Sequence, residues 1–180
     1  MTLRLDAVEV LSAWTAPTPE EEVSRKEFLE HLHAHEDAMF RECVPGHLTA
    51  TTAVLSHDGS QVLLTLHPKA GMWLPMGGHC ESTDRTLAEV ALREATEESG
   101  IPGLVLLPGP LALDRHQVWC HPPFSWHLDV EYAAVAPAGA EAVISDESLD
   151  LRWFPVEEIP ELSDEATRRL ARRGRDLLRS

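Results

Sequence analysis

The stretch from Gly77 to Ile101 constrains this chain more than any other. Its latter part reads as a helix over 84–99. Gly100 stands where a left-handed residue ends a helix, and Pro102 lies just beyond. On that helix Glu94, Glu97 and Glu98 stand at i, i+3 and i+4, so three carboxylates crowd one side. Each such like-charged pair costs a few tenths of a kcal/mol even in water. A solvated acidic helix normally intersperses lysines, and this one has none. A hard divalent cation would turn the repulsion into coordination. Arg93 is within reach of Glu97 and Glu89, each four positions away. Ala88, Leu92 and Ala95 form a small apolar face suited to close packing on a sheet.

The charge balance points the same way. The chain carries a net charge of −15, and six of its fifteen basic residues lie in 168–180. The first 167 residues hold 9 basic and 29 acidic side chains. Such a surface repels a nucleic-acid backbone. It also repels a phosphorylated small molecule unless bound cations supply positive charge locally. The terminal arginines read as the cationic later turns of a C-terminal helix. No apolar run is long enough to span a bilayer, and the first residues lack the apolar core of a secretory signal. Three widely spaced cysteines, Cys43, Cys80 and Cys120, read as free thiols in a reducing compartment, and a cytoplasmic protein is expected.

Along the chain, residues 1–45 read as helical. Thr18-Pro19-Glu20-Glu21 supplies an N-cap, a first-turn proline and a capping-box glutamate. Phe28, Leu32 and Met39 line one side of that helix, which Pro45-Gly46 breaks. From His47 the pattern turns to strands: 47–56 and 61–67 as a hairpin about His57-Asp-Gly-Ser60, then 104–107, 112–119, 127–136 and 149–154. Ser163 caps a last helix. The expected architecture is a helical extension (1–46) followed by one α/β domain (47–180), a sandwich with a mixed sheet.

The segment 78–101 resembles the Nudix box. The family pattern is Gly, five residues, Glu, seven residues, then Arg-Glu-apolar-x-Glu-Glu-x-Gly-apolar. Arg93-Glu-Ala-Thr-Glu-Glu-Ser-Gly-Ile101 fits the second half at every fixed position, behind Trp73-Leu-Pro-Met-Gly-Gly78. The first half departs from it: Asp84 replaces Glu, and eight residues separate it from Arg93. The extra residue is expected in the loop before the helix. The resemblance covers roughly residues 47–160. It implies a Nudix-type α/β/α sandwich and hydrolysis of a phosphoanhydride in a nucleotide or other nucleoside-diphosphate-linked molecule. It further implies Mg²⁺ or Mn²⁺ held by Glu94, Glu97, Glu98 and the Gly77 carbonyl. Arg93 would orient the glutamates, Asp84 would assist, and the general base would be a box glutamate or a later-loop carboxylate, here Glu147. A non-hydrolytic binding protein on the same fold would be marked by lost box carboxylates, and here they are intact.

Other residues suggest a substrate side. Asp114 and His116 alternate on one strand, and His127 and Asp129 on another, so adjacent strands could present a joint patch. Trp119, Phe124 and Trp126 flank that loop, and Trp126 could stack on a planar group. Lys69 could meet a phosphate. His31 and His35 share a helix side without a clear third ligand. Cys80 reads as a small buried thiol. The N-terminal helix could cover the core, make a homodimer contact or act as a lid. The partners expected are a phosphorylated small molecule, with neither nucleic acid nor membrane.

Overall fold

A computed structural model describes residues 2–146 and 148–180. Two helices lead, α1 (Leu3–Ala13) and α2 (Pro19–Ala34). Thr18 caps α2 by accepting the Glu21 N–H at 3.2 Å, as its position requires. Glu21 does not complete a capping box. Its carboxylate accepts the Thr18 hydroxyl at 3.3 Å and pairs with Arg173, 152 residues later, at 2.6 and 2.9 Å. The helix also stops well before the expected Pro45-Gly46 break. His35 is its extended C-cap, and hydrogen-bonded turns follow, from Ala38 N–H to the His35 carbonyl and from Phe40 N–H to the Asp37 carbonyl. Met39, buried with Phe28 and Leu32, reaches the core from those turns and not from the helix.

Strand β1 (Gly46–Leu55) is the centre of an eight-stranded sheet. It pairs antiparallel with β2 (Gln61–Leu66) and β4 (Met76–His79), and parallel with β7 (Ser125–Val135). Two-residue β3 (Trp73–Leu74) and β8 (Leu151–Pro155) extend from β2, while β5 (Val105–Leu106) and β6 (Ala112–Val118) pair with β7. One parallel pair among antiparallel ones makes the sheet mixed, as expected.

Helix α3 (Leu87–Ser99) and helix α4 (Glu165–Leu178) cover opposite faces of the sheet. Alternation along β1 and β7 decides which residue meets which layer. Leu48, Ala50, Leu128 and Val130 pack with Val90 and Ala91 of α3 and with Phe28 and Leu32 of α2, so the N-terminal helices share α3's core. Ala53, Leu55 and Ala133 pack against Leu170 and Ala171 of α4. The result is an α/β/α sandwich with the helical extension laid on the α3 side.

α3 begins at Leu87 with Thr86 as N-cap, three residues later than the sequence pattern places it. Leu87, Ala91 and Ala95, four apart, therefore form the buried stripe, while Ala88 is exposed. The eight residues between Asp84 and Arg93 comprise two of the loop and the first six of α3. Gly100 ends the helix at φ +65°, a conformation glycine adopts without strain. α4 is capped by Asp164, which accepts the Thr167 N–H at 2.7 Å, one residue beyond the expected Ser163. Among the described residues no helix is long and apolar enough to cross a membrane.

Candidate active site

The box forms one edge of the molecule, where the loop after β4 meets α3. Arg93 is its hub. Its guanidinium donates to both Asp84 carboxylate oxygens at 3.2 and 3.0 Å, and to the His79 carbonyl at 2.9 Å. It also donates to Glu94 at 2.9 Å and Glu97 at 3.3 Å. These anionic partners raise its pKa, the Asp84 hydrogen bonds most of all. Glu89 instead accepts the Arg85 N–H at 2.7 Å and takes no part. Asp84 is thus the anchor of Arg93. Its side chain is 6% exposed, and it also accepts the Glu81 N–H at 2.7 Å, which shapes the loop.

The glutamates are unequal. Glu94 is 14% exposed and its carboxylate lies against Gly78, whereas Glu97 is 61% exposed and faces solvent. Glu98 is half-buried. Gly77 must lack a side chain: a Cβ there would stand 2.8 Å from the Ala50 carbonyl oxygen and 2.9 Å from the Thr51 Cα of β1. Three carboxylates around one guanidinium leave an excess of negative oxygen donors, the donor set that suits a hard divalent cation.

On the α4 side of the sheet, the odd-numbered residues His47, Thr49 and Thr51 of β1 and His127, Asp129 and Glu131 of β7 are polar. Register aligns His79, Thr49, Asp129 and Asp114 in one row across four strands. His47, His127 and His116 form the next row. The expected His/Asp patch of β6 and β7 therefore assembles. His116 and Asp114 are 2.9 Å apart, and their hydrogen bond raises the imidazole pKa and lowers that of the carboxyl. Asp129 is buried, which raises its pKa, and it accepts the Thr49 hydroxyl at 2.8 Å.

The next alternate residue, Glu131, was not singled out in the sequence, although the 127, 129, 131 alternation leads to it. It is 3% exposed, and burial followed by the nearby Asp129 pushes its pKa up to about 8. Arg169 of α4 opposes that shift from 2.8 Å. The C-terminal arginines are in this way individually committed rather than simply matched to a helix dipole. Arg169 pairs with Glu131, Arg173 with Glu21, and Arg175 with Glu157.

Trp126 points away from His127 and Asp129, to the opposite face of β7. There the Arg115 guanidinium sits 3.9 Å over its ring. Trp119 is exposed, and Phe124 meets Trp126 edge-on at 5.9 Å. Lys69 lies in the exposed turn after β2, close enough for its charge to act on His79. Glu147 lies outside the described residues. His31 hydrogen-bonds the Gly46 carbonyl at 2.8 Å, and its ring lies tilted against that of His35 at 4.5 Å. Cys80 is buried, with its thiol 3.7 Å from the Leu48 carbonyl.

This geometry has known counterparts. The model of the NUDIX domain matches residues 46–174, from the first residue of β1 into α4. The chain belongs to the NUDIX domain family. The Nudix match reaches beyond the 47–160 suggested by the box and its flanking strands, because α4 is part of it. No curated protein sequence matches the chain. Among solved structures it is similar to a NUDIX-family hydrolase from Clostridium perfringens, at 24% identity and TM-score 0.54, over 74% of this chain and 96% of that one. It is similar to an Ap4A hydrolase from C. elegans, at 18% identity and TM-score 0.60, over 73% and 97%. It is also similar to the NUDIX domain of Shewanella oneidensis NrtR, a structure in complex with ADP ribose, at 22% identity and TM-score 0.54, over 83% and 97%. At such identities these likenesses carry the Nudix fold.

Proposed function

We propose that this Nudix protein hydrolyses a phosphoanhydride bond in a nucleotide or other nucleoside-diphosphate-linked small molecule, with Mg²⁺ or Mn²⁺ at the box glutamates. The observation that carries the reading is the Arg93 hub. It fixes Glu94 and Glu97 on one side of α3, while the buried Asp84 keeps the guanidinium from neutralising them fully. When bound there, a divalent cation neutralises the polyphosphate and lowers the pKa of water for attack on phosphorus.

The residues then divide the work. Glu94, half-enclosed against Gly78, Glu97 and Glu98 would hold the cation, with the Gly77 carbonyl as the backbone ligand. Glu97 or Glu98 would take the proton of the attacking water, or Glu147 would do so from the loop before β8. Lys69 would meet a phosphate. On the α4 side of the sheet, Asp114 and His116 would contact the remainder of the substrate, with the buried Asp129 behind them and His127 beside them. Trp126 does not share that face, so stacking on it requires a substrate that also reaches the opposite side of the sheet. The phosphorylated small molecule is the partner this site suits, and the acidic surface disfavours nucleic acid.

The test is product release from nucleoside triphosphates, dinucleotides, sugar nucleotides and dinucleoside polyphosphates with Mg²⁺ or Mn²⁺. The Glu97→Gln, Glu98→Gln variant runs beside the wild type. Metal-dependent turnover that the variant loses supports the reading. Metal-dependent binding without turnover, in folded wild-type protein, would replace it with a binding function.

A further inference from the structure

The α4 side of the sheet carries a second cluster that the box chemistry does not use. His47 of β1, His79 at the end of β4 and His127 of β7 bring three imidazoles together, with ring centroids 4.9 to 5.0 Å apart in a nearly equilateral triangle. Cys120, from the β6–β7 loop, closes the fourth corner. Its Sγ lies 3.7 Å from His127 Nε2 and 3.9 Å from His79 Nε2. One ligand atom from each of the four residues falls within 4.8 Å of all the others.

His47 makes this more than a chance gathering. It is 0% exposed, and neither ring nitrogen has a hydrogen-bond partner. A buried polar group without a partner costs about 1–3 kcal/mol, and an imidazole that binds a metal through one nitrogen recovers much of that.

We propose that His47, His79, His127 and Cys120 form a tetrahedral site for a Zn²⁺-class transition metal, separate from the oxygen-donor site of the box. A tetrahedral zinc ion, with Zn–N near 2.1 Å and Zn–S near 2.3 Å, sets N···N and N···S separations of roughly 3.4 and 3.6 Å. The two measured S···N distances already approach the latter. Three nitrogens and one thiolate select borderline ions, whereas the box's carboxylates select hard ones. The ion would tie the β6–β7 loop to the start of β1 and the end of β4. The loop holding Cys120 would then be pinned beside the Asp114–His116 and Asp129 groups. The Cys120 thiol must ionise on binding, releasing one proton to solvent.

Cobalt(II) added to tag-free full-length protein under reducing conditions tests the site without reference to activity. The expected spectrum has intense visible d–d bands of a four-coordinate ion and a near-ultraviolet thiolate-to-cobalt band, saturating at one equivalent. The Glu97→Gln, Glu98→Gln variant should keep both features, whatever becomes of hydrolysis. The Cys120→Ser variant should lose the thiolate band, and His47→Gln should weaken binding by about tenfold or more, the scale at which even outer-sphere groups matter. In wild-type protein, Zn²⁺ should slow alkylation of Cys120, mapped by mass spectrometry, by at least about tenfold. Weak six-coordinate bands, a spectrum unchanged by Cys120→Ser, or unslowed alkylation would each overturn the proposal.

Discussion

The box edge and the α4-side sheet face handle buried charge in opposite ways. At the edge, one guanidinium is shared among Asp84, Glu94, Glu97 and the His79 carbonyl, so repulsion between carboxylates is met by hydrogen bonds that fix their positions. On the face, the buried His47 and the half-buried His127 lie ring against ring, and Asp129 and Glu131 crowd within one strand, with Arg169 as the main counter-charge. The edge is preorganised by its own protein partners, while the face stores unmet polarity. A site of the first kind tolerates the absence of a ligand, and one of the second kind gains stability when a ligand arrives.

The largest effect that could break this comparison is on catalysis. Glu98→Gln is expected to lower kcat by about 10²–10⁴-fold on any substrate the wild type turns over. A kcat within a few-fold of wild type would remove Glu98 from the chemistry. Next in size is Arg93→Ala. It leaves Asp84 buried without its partner, and urea unfolding should show a loss of about 3 kcal/mol. A loss below about 1 kcal/mol, the range of surface pairs, would mean that the hub does not organise the edge.

The smallest effect concerns the face and its pH dependence. The Glu131 pKa is raised in the folded state, so its contribution is fully present below the unfolded value of 4.5 and is lost as pH rises towards about 8. Wild-type protein should therefore lose stability through this group as pH rises from 5 to 8. Glu131→Gln should flatten that slope. Equal slopes for the two proteins in urea titrations at both pH values would show that Arg169 keeps Glu131 ionised throughout.

How much of this was legible without coordinates differs between the two regions. The edge is built largely from one continuous segment. Helical spacing alone put Glu94, Glu97 and Glu98 together and pointed Arg93 towards Glu97. Even there, Asp84 was read only as an auxiliary acid, because its hydrogen bonds to Arg93 depend on how the loop folds back. The face needs four segments. Period-2 alternation found the pairs Asp114/His116 and His127/Asp129, and β6–β7 register brought them together. His47 and His79 stand 32 positions apart, and only the pairing of β1 with both β4 and β7 makes them neighbours.

The same boundary runs through the rest of the molecule. Local physical chemistry determined what the sequence could show by itself: the Thr18 cap, the Gly100 stop, the β1–β2 hairpin and the box carboxylates, each set by groups a few residues apart. Tertiary structure decided that Glu21 serves Arg173, that Trp126 faces Arg115 instead of His127, and that three histidines and a cysteine share one corner. Those outcomes depend on strand register and on which sheet face a helix covers. A side chain's partner across the sheet is fixed only when the whole core packs.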